Sequence, residues 1–120
     1  MAIVLLDSEN ADRDLTALIT VLTDTPDASN PILCQAIIML GDGSKDLDGT
    51  GGSFDLEVTV GGQTVQTNPY RLNFDAEIRS AIVTRSFPVP ANKEVVIGVK
   101  SPNGADTDVD TTAYLCNLSG

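Results

Sequence analysis

"SFDLEVTVGGQTVQT" (residues 53–67) is the stretch whose reading decides the fold. Phe54, Leu56, Val58 and Val60 alternate with Asp55, Glu57 and Thr59. Successive side chains of a strand point to opposite faces, so this segment has one apolar and one polar face. Gly61 and Gly62 follow. A two-residue type I′ turn needs positive φ at both central positions, a conformation that glycine adopts without penalty. "QTVQT" then returns as a second strand. The segment therefore reads as a β-hairpin with one wet face and one dry one.

The same reading extends in both directions. Downstream, "YRLNF" (70–74) is a short strand ended by the turn "DAE". "IRSAIVTRSFPV" (78–89) is a longer one, closed by Pro88 and Pro90 because proline cannot donate to a ladder. "VVIGVK" (95–100) is another, and "SPNGAD" supplies turn residues before a last strand from about Thr107 to Asn117. Upstream, "ILCQAIIML" (32–40) is a nearly continuous apolar run and predicts a buried central strand. "LTALITVLT" (15–23) alternates in part; Leu18 and Leu22 would also suit a helix, while its threonines and β-branched residues favour a strand. Ile3–Leu6 is a short apolar strand and "DSENADRD" (7–14) a polar loop. About eight short strands with turns between them predict an all-β, antiparallel sandwich, jelly-roll or immunoglobulin-like. No repeat or composition break divides residues 1–120, so one domain is expected.

Charge narrows the partners. Asp and Glu number 17 against 7 Lys and Arg, a formal net charge of −10. Such a surface repels phosphate backbones and anionic membranes, which argues against nucleic acid and membrane as partners. A basic protein surface or a cation remains compatible. No stretch approaches the ~20 apolar residues of a membrane-spanning helix. "MAIVLLDSEN" lacks a basic n-region and a long apolar core, so synthesis in a cytosol without export by a signal peptide is expected. Cys34 and Cys116 each sit inside an apolar run and are expected to be free, buried thiols.

Two acidic clusters invite a metal reading. In "SKDLDGTGGSFD" (44–55), Ser44, Asp46, Asp48, Gly49 and Asp55 fall on the spacing of a calcium-binding loop between helices. Serine at the first position, aspartate at the last and strands on both flanks weaken the match, and Asp46, Asp48 and Asp55 stay only as calcium candidates. In "ADTDVD" (105–110), Asp106, Asp108 and Asp110 alternate. Same-face residues of a strand lie roughly 7 Å apart, too far for three to meet one ion. The reading preferred for these three is a strand face that starts exposed and becomes buried further along; the second explanation is that they shape the loop opening the final strand, their side chains bonding nearby backbone N–H groups. No cofactor is expected. The sequence has no histidine, so the commonest general base is missing, and no catalytic constellation is recognised; the expectation is a protein that is not an enzyme.

Two further motifs point to a family. "TGGSFDLEVTVGGQTVQTNP" and "FDAEIRSAIVTRSFPVPANKEVVIGVKSPNGADTDVDTTAYL" resemble short structural proteins encoded by phages and prophages. The shared pieces are a glycine-led strand, a "V.GQT.Q" hairpin, "F.VPAN" and "SPN.ADTDVD.TAYL", spread over residues 51–115. The ending "CNLSG" departs from the family, whose members often continue in apolar residues. The resemblance implies a virion part assembled in the host cytoplasm: a capsid decoration or cement protein, or alternatively a fibre or adhesin module that recognises a host surface glycan or protein. A sugar site usually needs exposed aromatic platforms, and there are only three phenylalanines, two tyrosines and no tryptophan; that favours the structural role. The partners implied are the major capsid protein or another virion protein, and further copies of the chain itself, most simply as a trimer. The apolar segment Ile3, Val4, Leu5 and Leu6 is the candidate assembly interface, because an unpaired β-prone strand needs a partner.

Overall fold

The computed structural model describes residues 4–27, 29–48, 52–72 and 79–119. Among them are eight strands: β1 (Val4–Arg13), β2 (Ile19–Asp24), β3 (Ile32–Leu40), β4 (Gly52–Val60), β5 (Gln63–Leu72), β6 (Ala81–Val89), β7 (Val95–Lys100) and β8 (Val109–Asn117). The diglycine turn behaves as its sequence requires, with φ of 58° at Gly61 and 84° at Gly62. Around it β4 and β5 pair antiparallel, with Val60 opposite Gln63.

That hairpin is the tip of a longer one. β3 pairs with β6, β2 with β7 and β1 with β8, all antiparallel, so the whole chain is doubled back about Gly61–Gly62. The doubled chain then wraps: β8 also pairs with β3, and β7 with β4. The result is two four-stranded sheets, β1-β8-β3-β6 (sheet A) and β2-β7-β4-β5 (sheet B). Every connection except β4–β5 passes from one sheet to the other. This is the jelly-roll order, which decides between the two sandwich types that strand count alone allows.

The core lies between the sheets. Sheet B contributes Phe54, Leu56, Val58, Val95, Ile97 and Val99; sheet A contributes Cys34, Ala36, Ile38, Val83, Val109, Ala113 and Leu115, all at most 3% exposed. Full burial of each leucine, isoleucine, valine or phenylalanine is worth roughly 1.5–3 kcal/mol relative to exposure. Leu18 is folded over Gly98 on the outside of sheet B, where a Cβ would meet the Leu18 side chain at 3.3 Å.

Three expectations need correction. "DSENADR" is strand, paired with β8 out to Arg13 opposite Val109. It is polar because β1 is an edge strand, and Asp7, Glu9 and Asp12 discourage pairing with a foreign edge. Residues 63–72 form one strand through Pro69, and Pro88 lies inside β6 opposite Leu33. Both prolines are tolerated because β5 and β6 are also edge strands. Finally, β8 begins at Val109, which places Asp106 and Asp108 in the preceding loop. Thr107, expected to open the strand, is there as well.

Candidate functional surfaces

Of the aspartates singled out in the sequence, Asp46, Asp48, Asp106, Asp108 and Asp110 gather at one end of the sandwich, near the β1–β2, β3–β4 and β7–β8 loops, but each serves a different partner. Asp106 is the anchor. It is 3% exposed. One carboxylate oxygen accepts the Asp48 backbone N–H at 2.8 Å, and the other accepts the Ser101 hydroxyl. Its own carbonyl accepts the Leu15 N–H at 2.9 Å, and the Leu15 carbonyl accepts the Ser101 N–H at 2.8 Å. The β1–β2, β3–β4 and β7–β8 loops are thus joined through one residue. The β5–β6 side is added by the Leu47 N–H, which donates to the Arg79 carbonyl at 3.0 Å. Asn103 completes the turn: its Nδ2 donates to Asp48 Oδ2 at 3.0 Å and its Oδ1 accepts the Ala105 N–H at 2.9 Å.

The neighbouring carboxylates are occupied locally. Asp46 Oδ1 accepts the backbone N–H groups of Asp42 and Gly43 at 3.0 and 2.7 Å. Asp42 in turn accepts the N–H groups of Ser44 and Lys45, which hold its carboxyl below the usual range. The Thr16 hydroxyl and N–H do the same for Asp14. Lys45 is ion-paired with Asp108, and that hydrogen bond raises the ammonium pKa. Both side chains are about half exposed, so solvent screens the pair and it adds little to stability. Asp110 is on β8 and accepts from Asn10 Nδ2 at 3.0 Å.

The calcium candidates are not assembled. Asp46 caps its own loop, Asp48 is held by Asn103, and Asp55 lies on β4 opposite Lys100. Among the described residues no cluster of three or more acidic, histidine or cysteine side chains could hold a metal ion. Cys34 and Cys116 are free and buried. Their positions on adjacent strands, opposite Asn117 and Gln35, direct them to different faces of sheet A. Burial pushes the Cys34 thiol up to about 11, with smaller contributions from Asp24 and Cys116.

In the candidate assembly segment, Val4, Leu5 and Leu6 belong to β1; Val4 pairs opposite Asn117 and Leu5 opposite Cys116 within their own sheet, Leu6 falls at the register shift before Asp7, and Ile3 lies outside the described residues. Leu6 packs against the core, while Val4 and Leu5 remain exposed at 43% and 56%.

One surface was missed in the sequence. The outer face of sheet A carries cross-strand rows Leu33–Pro88, Leu5–Cys116–Gln35–Ser86, Ser8–Tyr114–Ile37–Thr84 and Asn10–Thr112–Met39–Ile82. None of these side chains is charged. The next row, at the loop end, holds Asp12 and Asp110. Leu33, Met39 and Ile82 are 43%, 41% and 53% exposed. The outer face of sheet B is different in kind, with Asp55, Glu57 and Lys100 in its centre. A central strand that is apolar on both faces normally has both faces covered. The run "ILCQAIIML" was that signal; sheet B covers only one of its faces. Of the aromatics, Phe54 and Phe87 are in the core, and Tyr114 is half-buried on this outer face.

No family model matches the sequence, and no curated protein matches it. Solved structures do resemble the fold. A chain from infectious bursal disease virus, Gx strain, aligns over 99% of this chain at 10% identity with a TM-score of 0.47. A family 35 carbohydrate-binding module from Clostridium thermocellum aligns over 93% at 13% identity and 0.42, and dimeric latent PorU from Porphyromonas gingivalis over 95% at 10% and 0.45. The chain spans 13% of the PorU chain and 33% of the viral chain, against 99% of the carbohydrate-binding module. At these identities the likeness concerns the β-sandwich alone.

Proposed function

We propose that the chain is a structural, non-enzymatic virion protein of a phage that decorates or cements the capsid shell. The observation that carries the reading is the use made of "SPNGADTDVD". This is one of the more specific pieces of the resemblance to phage proteins, and its Ser101, Asn103 and Asp106 are the residues that tie the loop end together. The shared motif therefore specifies architecture: a rigid, acidic end on a jelly roll. With a net charge of −10, such a module suits a basic patch on a shell, and electrostatic attraction of that kind speeds encounter and weakens with salt.

The test is made on purified virions and on empty shells. Quantitative mass spectrometry is expected to find hundreds of copies per particle, and co-sedimentation with shells is expected to fall as salt rises. A count of only a few or tens per particle would move the assignment to a fibre or adhesin module. Absence from virions would overturn the proposal.

A further inference from the structure

We propose that the outer face of sheet A is a two-fold interface with a second copy of this chain. The argument is independent of the capsid. In a protein of net charge −10, a second copy is repelled by most of the surface. The outward rows of sheet A are the exception: the outward-facing residues Leu33, Gln35, Ile37 and Met39 of β3, and those opposite them on β6 and β8, carry no charge. Depletion of charge, together with exposed apolar side chains, is the compositional mark of an interface core. The acidic outer face of sheet B offers no such place.

The pattern is also self-complementary, as a two-fold contact requires. An axis in the plane of the interface, crossing β3 between Gln35 and Ile37, lays Leu33 and Pro88 of one copy over Met39 and Ile82 of the other. It leaves the Asp12–Asp110 row outside the overlap. Four strands about 4.8 Å apart and seven residues long give a footprint of roughly 400 Å² per copy in projection. That is below the roughly 800 Å² per partner of a stable complex, so the dimer is expected to be weak, dissociating in the micromolar range.

Sedimentation velocity from about 1 to about 500 µM tests this. The expected result is a shift from 12.6 kDa to twice that mass, with dimer favoured at higher salt as the like charges are screened. Ile82→Glu and Leu33→Glu place a charge at exposed positions and are each expected to weaken association at least tenfold while leaving the thermal melt in place. Glu57→Lys, on the other sheet, should not weaken it. A chain that stays monomeric throughout, a trimeric mass, or dimers indifferent to both charged variants would overturn the proposal. Because self-association strengthens with salt and shell docking weakens, failure of one is not mistaken for failure of the other.

Discussion

Replacing Asp106 with alanine tests whether the loop end is held by one residue. The substitution removes two hydrogen bonds to a carboxylate that is 3% exposed, one from the Asp48 N–H and one from the Ser101 hydroxyl. Hydrogen bonds to charged groups are worth about 1.5–3 kcal/mol each. Asp48 lies at the surface and can recover water, whereas Ser101 is 2% exposed and cannot. The sum after that discount is about 3 kcal/mol. Asparagine at the same position keeps an acceptor for the Asp48 N–H and the same shape, and should cost about 1–2 kcal/mol. Urea denaturation at 25 °C measures both. With an m-value of about 1.5 kcal/mol/M for a domain of this size, the alanine variant should lose about 2 M in its midpoint. An alanine variant within about 1 kcal/mol of the parent would refute the reasoning. So would an asparagine variant as damaged as the alanine one, since the loss would then not follow the hydrogen bonds.

Gly41→Ala should cost about 3 kcal/mol or more in the same assay, because Gly41 has φ of 92° and a Cβ would come within 2.5 Å of the Arg79 carbonyl oxygen; a loss under about 1 kcal/mol would show that the β3–β4 loop yields. Stability should be flat from neutral pH to near 9, the ordinary thiol value, and fall as pH rises toward 11. Cys34 has a folded-state pKa raised to about 11, so the folded state holds a proton that the unfolded state releases. Cys34→Ala should flatten that alkaline limb, and an unchanged limb would assign it elsewhere. Thermal melts in calcium and in EDTA should coincide, since Asp46 and Asp48 are bonded to separate partners and Asp55 lies on β4; a calcium-induced rise of several degrees would mean the ion binds the folded state preferentially.

The parts of the fold that sequence reasoning reaches are those where burial differs between faces. Phe54 to Val60 alternate because one side is core and the other water, and Gly61–Gly62 announce their turn by needing positive φ. Edge strands escape the same logic. Asp7 to Arg13 have little to bury, so nothing in their side chains separates a strand from a loop; only the ladder with β8 does, and that partner is at the far end of the chain. Pro69 and Pro88 look like terminators unless the edge position of β5 and β6 is known. At the loop end, the alternation of Asp106, Asp108 and Asp110 suggests one strand face. The actual roles depend on Ser101, Asp48, Lys45 and Asn10, which tertiary contacts bring in. The outer face of sheet A was visible as excess hydrophobicity in "ILCQAIIML", but the sequence alone cannot say which side lacks a cover.

The nested pairing about Gly61–Gly62 also sets the order of events during synthesis. Only β4 and β5 are neighbours in the chain that can pair as soon as both exist; each outer pair must close a longer loop, ending with Val4 opposite Asn117. Loop closure grows more costly with length, and topologies dominated by distant pairings fold in milliseconds to seconds. On a ribosome β1 is made before the other seven strands, and its ladder partner β8 is made after them. Until β8 is made β1 lacks that partner, and the acidic residues Asp7, Glu9 and Asp12 that guard the finished edge also guard the nascent one against its neighbours on the same message.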